Sequence, residues 1–148
     1  MLGAVTIAPA GTDVEALIGP LGPDADSITA DDLSTLLDGR RGKLKSALMD
    51  QTLLAGLGNE LSDEVLWRAC LHPERPAAGL DQGEVDALHR AMDEVLAASK
   101  RHGRIPEASG WLEPVRGTAD PSCPRCGAPI ETIRSAGRTA YICRQEQV

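Results

Sequence analysis

The sequence predicts a mainly α protein, a four-helix domain followed by a small β-hairpin stapled by a metal. Three observations carry that expectation. Apolar residues recur at helical spacing in four segments between residues 29 and 103. A tight Gly56-Leu57-Gly58-Asn59 turn separates two of these segments. Near the end, a Cys123-Pro124-Arg125-Cys126-Gly127 knuckle is followed by Cys143 after 16 intervening residues.

Each element has a local reason. Residues 1–27 read as one short strand, Met1–Ala8, with Val5 and Ile7 on one face, then a linker broken by prolines and glycines. Thr29 and Asp32 make a capping-box start, Leu33, Leu36 and Leu37 form a stripe, and Gly39 closes the helix. A second helix is expected over about 43–55, with Leu44, Leu48 and Leu54 or Ala55 inward. A third is expected over about 62–71, with Ser62 as N-cap, Asp63 and Glu64 in its first turn, and Val65, Leu66, Ala69 and Cys70 inward. Pro73 and Pro76 then interrupt the chain. Asp81 and Glu84 start the fourth helix, whose stripe is Val85, Leu88, Met92, Val95 and Leu96, and Gly103 ends it. The helical domain is therefore 28–103. Residues 104–122 form a second linker with Trp111 as an anchor, and 123–148 turn back at Ser135-Ala136-Gly137 as a hairpin.

Composition bounds the function classes. At 148 residues, the chain can bury one modest core plus a small metal-stapled module. Phe is absent, and Trp67, Trp111 and Tyr141 are the only aromatics, so the core must be aliphatic. No apolar run approaches membrane-spanning length, and no basic segment precedes Met1–Ala8 as a signal peptide needs. Three of four cysteines fall in the last 26 residues, which points to a metal in a reducing, cytoplasmic setting rather than to disulfides. The expected state is a monomer with no membrane partner.

A net charge of −7 argues at first against a polyanionic partner, but the charge is unevenly spread. Residues 1–39 hold seven acids and no Lys or Arg, whereas Arg40, Arg41, Lys43 and Lys45 cluster without an acid. From Lys100 onward, eight bases face five acids. Local charge governs contact, so basic patches on an acidic chain remain able to hold nucleic acid, with strong salt sensitivity.

Two candidate sites emerge. In the glycine turn, the amides of Gly58 and Asn59 and the Asn59 side chain can converge as donors on a phosphate, although an ordinary interhelical turn has the same composition. In the tail, Cys123, Cys126 and Cys143 are candidate metal ligands, and a structural zinc wants a fourth donor at position 146, which is Glu. Either Glu146 completes a three-Cys, one-Glu zinc site or the site is incomplete. A redox CxxC lacks the βαβ surroundings that such motifs occupy. Cys70 reads as a buried core thiol, His72 as a loop or capping residue and His89 as surface.

These residues resemble the C-terminal half of the formamidopyrimidine-DNA glycosylase and endonuclease VIII family. The block from Leu44-Lys45 through Met49-Asp50-Gln51, Gly56-Leu57-Gly58-Asn59, Asp63-Glu64 and Trp67-Arg68-Ala69 to His72-Pro73 is similar to its helix–two-turns–helix domain. Cys123, Cys126 and Cys143, with Gly137-Arg138 between them, are similar to its zinc finger. The resemblance covers roughly residues 16–147. It implies double-stranded DNA as partner, gripped through phosphates by Lys45, Gly58, Asn59 and Arg138, and zinc as cofactor. It implies a base-excision-repair glycosylase and AP lyase whose catalysis begins at an N-terminal Pro-Glu on a β-sandwich. This sequence opens Met1-Leu2-Gly3 and carries Glu60-Leu61 where the family often has Ile-Tyr. No catalytic residue is assigned here, and Met1–Ala8 reads as a remnant of the sandwich. The first expectation is a damaged-DNA-binding module that is inactive alone. The alternatives are an active enzyme whose N-terminus is truncated here, and a degenerate zinc-ribbon module that binds a separate protein.

Overall fold

The computed structural model describes Ala10 and residues 19–148, so the strand expected over Met1–Ala8 lies outside the described residues. Among the described residues are four α-helices: α1 Ala30–Leu37, α2 Leu44–Leu48, α3 Asn59–Arg68 and α4 Gln82–His102. A short 3-10 turn, Glu113–Val115, leads to an antiparallel hairpin of β1 Glu131–Ser135 and β2 Arg138–Ile142. Among the described residues, no helix is long and apolar enough to cross a membrane.

Two of the helix starts follow the sequence closely. At α1, the Thr29 hydroxyl accepts from the Asp32 amide (3.2 Å), while Asp32 Oδ2 accepts from the Thr29 amide (2.9 Å). At α4, Asp81 and Glu84 exchange the same two bonds, at 2.9 and 3.0 Å. Each reciprocal pair satisfies donors that a bare helix start leaves unmet. Gly103, at φ 70°, ends α4 in the left-handed conformation that glycine adopts without strain.

The other two helices differ from expectation. The helix expected over about 43–55 is helical only from Leu44 to Leu48. Asp50 Oδ1 captures both the amide (3.0 Å) and the hydroxyl (2.7 Å) of Thr52. The Gln51 side chain accepts from the Gly56 amide (3.1 Å) and donates to the Leu57 carbonyl (2.9 Å). These side chains take backbone partners that a continuing helix would use. Leu53, Leu54 and Ala55 are still buried, on turns rather than on a helix. The next helix, α3, begins at Asn59 rather than Ser62, with Gly58 as its N-cap. Ser62 lies inside it and its hydroxyl donates back to the Gly58 carbonyl at 2.7 Å.

Two apolar cores meet at α3. Val65 and Leu66 join Leu33, Leu44, Leu48, Leu88, Met92 and Val95 in the main core. Sealing a side chain of this size contributes about 1.5–3 kcal/mol. On the other side, Trp67 packs with Leu112, Cys123, Ile130 and Cys143. The segment 104–122, expected as a linker, is thus anchored, because Leu112 is wholly buried in that second core. Trp111 packs against the main core.

The hairpin runs in register from Glu131 opposite Ile142 to Ser135 opposite Arg138. Ala136 (φ 52°) and Gly137 (φ 70°) form its two-residue turn. Two left-handed residues match the twist of paired strands, and alanine accepts some strain to serve there. The last residues also pair with the helical domain: the Val148 amide donates to Cys70 and its carbonyl accepts from His72.

Candidate functional site

The N-terminus of α3, the end of α4 and the start of β2 border a groove of about 850 Å³. Gly58, Asn59, Glu60, Lys100, Arg104 and Arg138 line it. Gly58 offers no side-chain cap, so the first turn of α3, whose residues line the groove, keeps uncapped amides at the positive end of the helix dipole. Asn59 Nδ2 donates to the Thr139 carbonyl (3.3 Å), which ties the turn to β2. Asn59 Oδ1 and Ser99 Oγ are buried without hydrogen-bond partners. Polar atoms left so are uncommon. The groove therefore brings Gly58, Asn59 and Arg138 together.

Lys45 is placed otherwise. It does not line the groove but lies wholly buried beneath it, with Nζ 2.6 Å from Asp63 Oδ1 and 3.5 Å from the Thr139 carbonyl. Burial holds its ammonium below the ordinary lysine range, against the pull of Asp63. Thr139 thus receives bonds from both Lys45 and Asn59. Asp63 Oδ2 also accepts from Arg116 at 2.8 Å and faces the Tyr141 amide at 3.4 Å. The Arg116 guanidinium lies over the Tyr141 ring, 4.5 Å from its centroid. One carboxylate consequently links α2, α3, the 104–122 segment and the hairpin.

The expected first-turn acids are therefore interior residues of α3. Glu64 accepts from the Leu112 amide (3.0 Å) and Arg68 Nε (3.1 Å). Burial raises its carboxyl above the ordinary range despite Arg68. His89, expected at the surface, is half-buried with Nε2 2.8 Å from the Ile28 carbonyl. His72 behaves as a loop-capping residue, its Nδ1 accepting from the Glu74 amide at 3.2 Å.

In the finger, the Sγ atoms of Cys123, Cys126 and Cys143 lie within 4.8 Å of one another. Cys126 is exposed and the other two are buried. Three convergent thiols are the donor set that zinc selects. Trp67 Nε1 donates to Cys123 Sγ (3.4 Å), and the Gln147 side chain accepts from the Cys143 amide (2.9 Å) while donating to the Leu71 carbonyl. Burial, together with the Cys126 thiol, pushes Cys143 up to about 11, so metal binding must displace its proton. Glu146 stands outside this cluster, with Oε2 3.1 Å from Arg125 Nη2. Cys70 is not a helical core thiol: it follows α3 at φ 59°, half-buried, with Sγ 3.5 Å from Arg125.

Sequence profiles decide the relationship. The formamidopyrimidine-DNA glycosylase H2TH domain matches residues 19–106, and the zinc finger found in FPG and IleRS matches 122–145. The chain belongs to the formamidopyrimidine-DNA glycosylase family. It is 39% identical to the formamidopyrimidine-DNA glycosylase of Herpetosiphon aurantiacus, over 88% of this chain and 52% of that protein. It is 35% identical to that of Gloeobacter violaceus, over 97% of this chain and 56% of that protein. Among solved structures, the MutM (Fpg) protein from Thermus thermophilus superposes with a TM-score of 0.74 at 34% identity, over 86% of this chain and 53% of that one. A complex between Lactococcus lactis Fpg and DNA containing an abasic site gives 0.74 at 32% identity, over 86% and 51%. The chain thus spans about half the length of the relatives it matches. The thiol cluster and the finger profile together identify a zinc-binding module.

Of the other groove residues, Ser99 had no signal in the sequence, and Lys100 and Arg104 had only the excess of bases from Lys100 onward. Arg116 and the interior role of Asp63 had none.

Proposed function

We propose that this chain grips double-stranded DNA by its phosphates, as the DNA-binding half of a base-excision-repair glycosylase and AP lyase. The observation that carries the proposal is the groove: an uncapped helix start beside Asn59, with Lys100, Arg104 and Arg138 on its walls. That combination suits a phosphate, since amides, a dipole end and cations all favour negative charge. The solved Lactococcus lactis relative, bound to abasic-site DNA, supports the reading. In this proposal, α2, the turns over 49–58 and α3 are the helix–two-turns–helix element. Gly58, Asn59 and Arg138 touch phosphate, and Lys45 acts from beneath by holding Thr139 and Asp63. The protein binds as a monomer.

We expect no base excision by these 148 residues alone, because they span about half the length of the relatives they match and no catalytic residue is assigned among them. The deciding experiment measures binding to duplex DNA at roughly 50 and 200 mM salt, with Asn59→Ala, Arg138→Ala beside the parent chain. The expected result is a steep loss with salt and a further loss in the double variant. No binding at either salt overturns the reading. Glu60 in the groove and the net charge of −7 favour one other reading, a protein partner, which salt-insensitive capture of a protein with no DNA affinity supports.

A further inference from the structure

A tetrahedral zinc site needs four donors, and a closed structural site takes all four from the chain. The finger brings three thiols together, and among the described residues no fourth Cys, His, Asp or Glu joins them within 4.8 Å. The residue at the spacing for a fourth donor, Glu146, is committed elsewhere. Its carboxylate pairs with Arg125 at 3.1 Å. Arg125 is itself fixed: it donates to the carbonyls of Trp67 and Arg68, and its guanidinium stacks on the Trp67 ring, 4.1 Å from the centroid. Turning Glu146 to the metal would give up this ion pair and leave the Arg125 guanidinium without its anion. The same ring fixes Cys123 through Trp67 Nε1, so the thiols and the acid are held in separate places by one side chain.

We propose that this finger holds zinc through Cys123, Cys126 and Cys143 alone, and that its fourth position is open to a donor from outside the chain, a small thiol. Cys126 is the exposed member of the cluster, which gives such a donor a way in. On entry the thiol binds as thiolate in place of the water that would fill the fourth position, and the water and the thiol's proton leave to solvent; nothing is oxidised or reduced. Cys70 is the one remaining cysteine, and its Sγ rests on Arg125 rather than among the three thiols. The inference is independent of the DNA reading, since it concerns the metal and not the groove.

The test uses the full chain loaded with zinc or with cobalt(II), reading metal stoichiometry, the cobalt absorption bands and the rate of zinc transfer to a chromogenic chelator. One metal per chain is expected. Glu146→Gln should leave stoichiometry and bands unchanged, whereas β-mercaptoethanol should shift the bands of the parent chain. Glu146→Cys should show shifted bands from the outset, ignore the added thiol, and release zinc more slowly by on the order of tenfold, since even outer partners of a zinc site change affinity that much. Cys70→Gly, which suits the left-handed backbone there, should bind metal like the parent. The proposal fails if Glu146→Gln or Cys70→Gly alters the bands or loses metal, if the thiol moves nothing, or if the folded parent retains no metal. Far-UV circular dichroism of each variant separates loss of fold from loss of ligand.

Discussion

Lys45 and Asp63 form a sealed ion pair, Nζ to Oδ1 2.6 Å, with side chains 0% and 1% exposed. The pair joins α2 to α3, and through Arg116 and Thr139 it reaches the hairpin. A buried pair contributes little beyond its own desolvation cost, yet breaking one by removing a partner is expensive.

Asp63→Ala should therefore destabilise the chain by about 3–5 kcal/mol, because it leaves the buried Lys45 without its carboxylate and takes from Arg116 one of the two acids it meets. Lys45→Met should cost less, because Asp63 keeps Arg116. Urea unfolding of the two variants checks the order; equal costs, or the reverse order, would contradict the network.

Glu60 stands in the groove beside the α3 dipole end, where a carboxylate opposes an incoming phosphate. Glu60→Gln should tighten duplex DNA binding roughly two- to fivefold at low salt, while lowering stability by about 0.3–1 kcal/mol through the lost helix-start charge. Titration of labelled duplex and a thermal melt read the two opposite effects.

The capping carboxylates predict an acid dependence. The Thr29 amide and hydroxyl hold Asp32 below the ordinary carboxylate range, and Arg75, then the Asp81 amide, do the same for Glu84. The unfolded chain therefore binds protons at a higher pH than the fold does. The stability from these groups is whole near neutrality and drains as pH falls from the ordinary range through the lowered folded values. Asp32→Ala and Glu84→Gln should destabilise at pH about 7 and matter progressively less below about 4. Unfolding curves across that window check it; a constant difference would count against the caps.

Trp67 reports on the finger, since its Nε1 donates to Cys123 Sγ. Removing zinc with a chelator should change Trp67 emission in a Trp111→Phe background, and re-addition should restore it. An unchanged spectrum would mean that the second core does not depend on the metal.

Cys70 sits at φ 59°, a left-handed position that costs most residues about 1–2 kcal/mol. Cys70→Gly should relieve that strain, offset in part by glycine's freedom when unfolded, for a net gain of about 1 kcal/mol or less. A melt that falls instead would show that the thiol's contact with Arg125 outweighs the backbone.

Much was legible in the sequence by itself. Both capping boxes, the α4 stripe, the glycine stops, the hairpin turn and the Cys123–Cys126 knuckle rest on neighbours within a few residues, and local spacing displays them. The family followed from the same short motifs. The tertiary structure alone decided where distant partners meet. It shortened α2, because the side chains of Asp50 and Gln51 found backbone partners in the turn beyond. It moved Lys45 from surface candidate to buried pair, and brought Lys100 and Arg104 to the groove that Asn59 and Arg138 share. It also turned Glu146 toward Arg125. Periodicity records which face of an element is apolar. The partner of a charge depends on chain that lies dozens of residues away, and burial strengthens whichever pairing the fold allows.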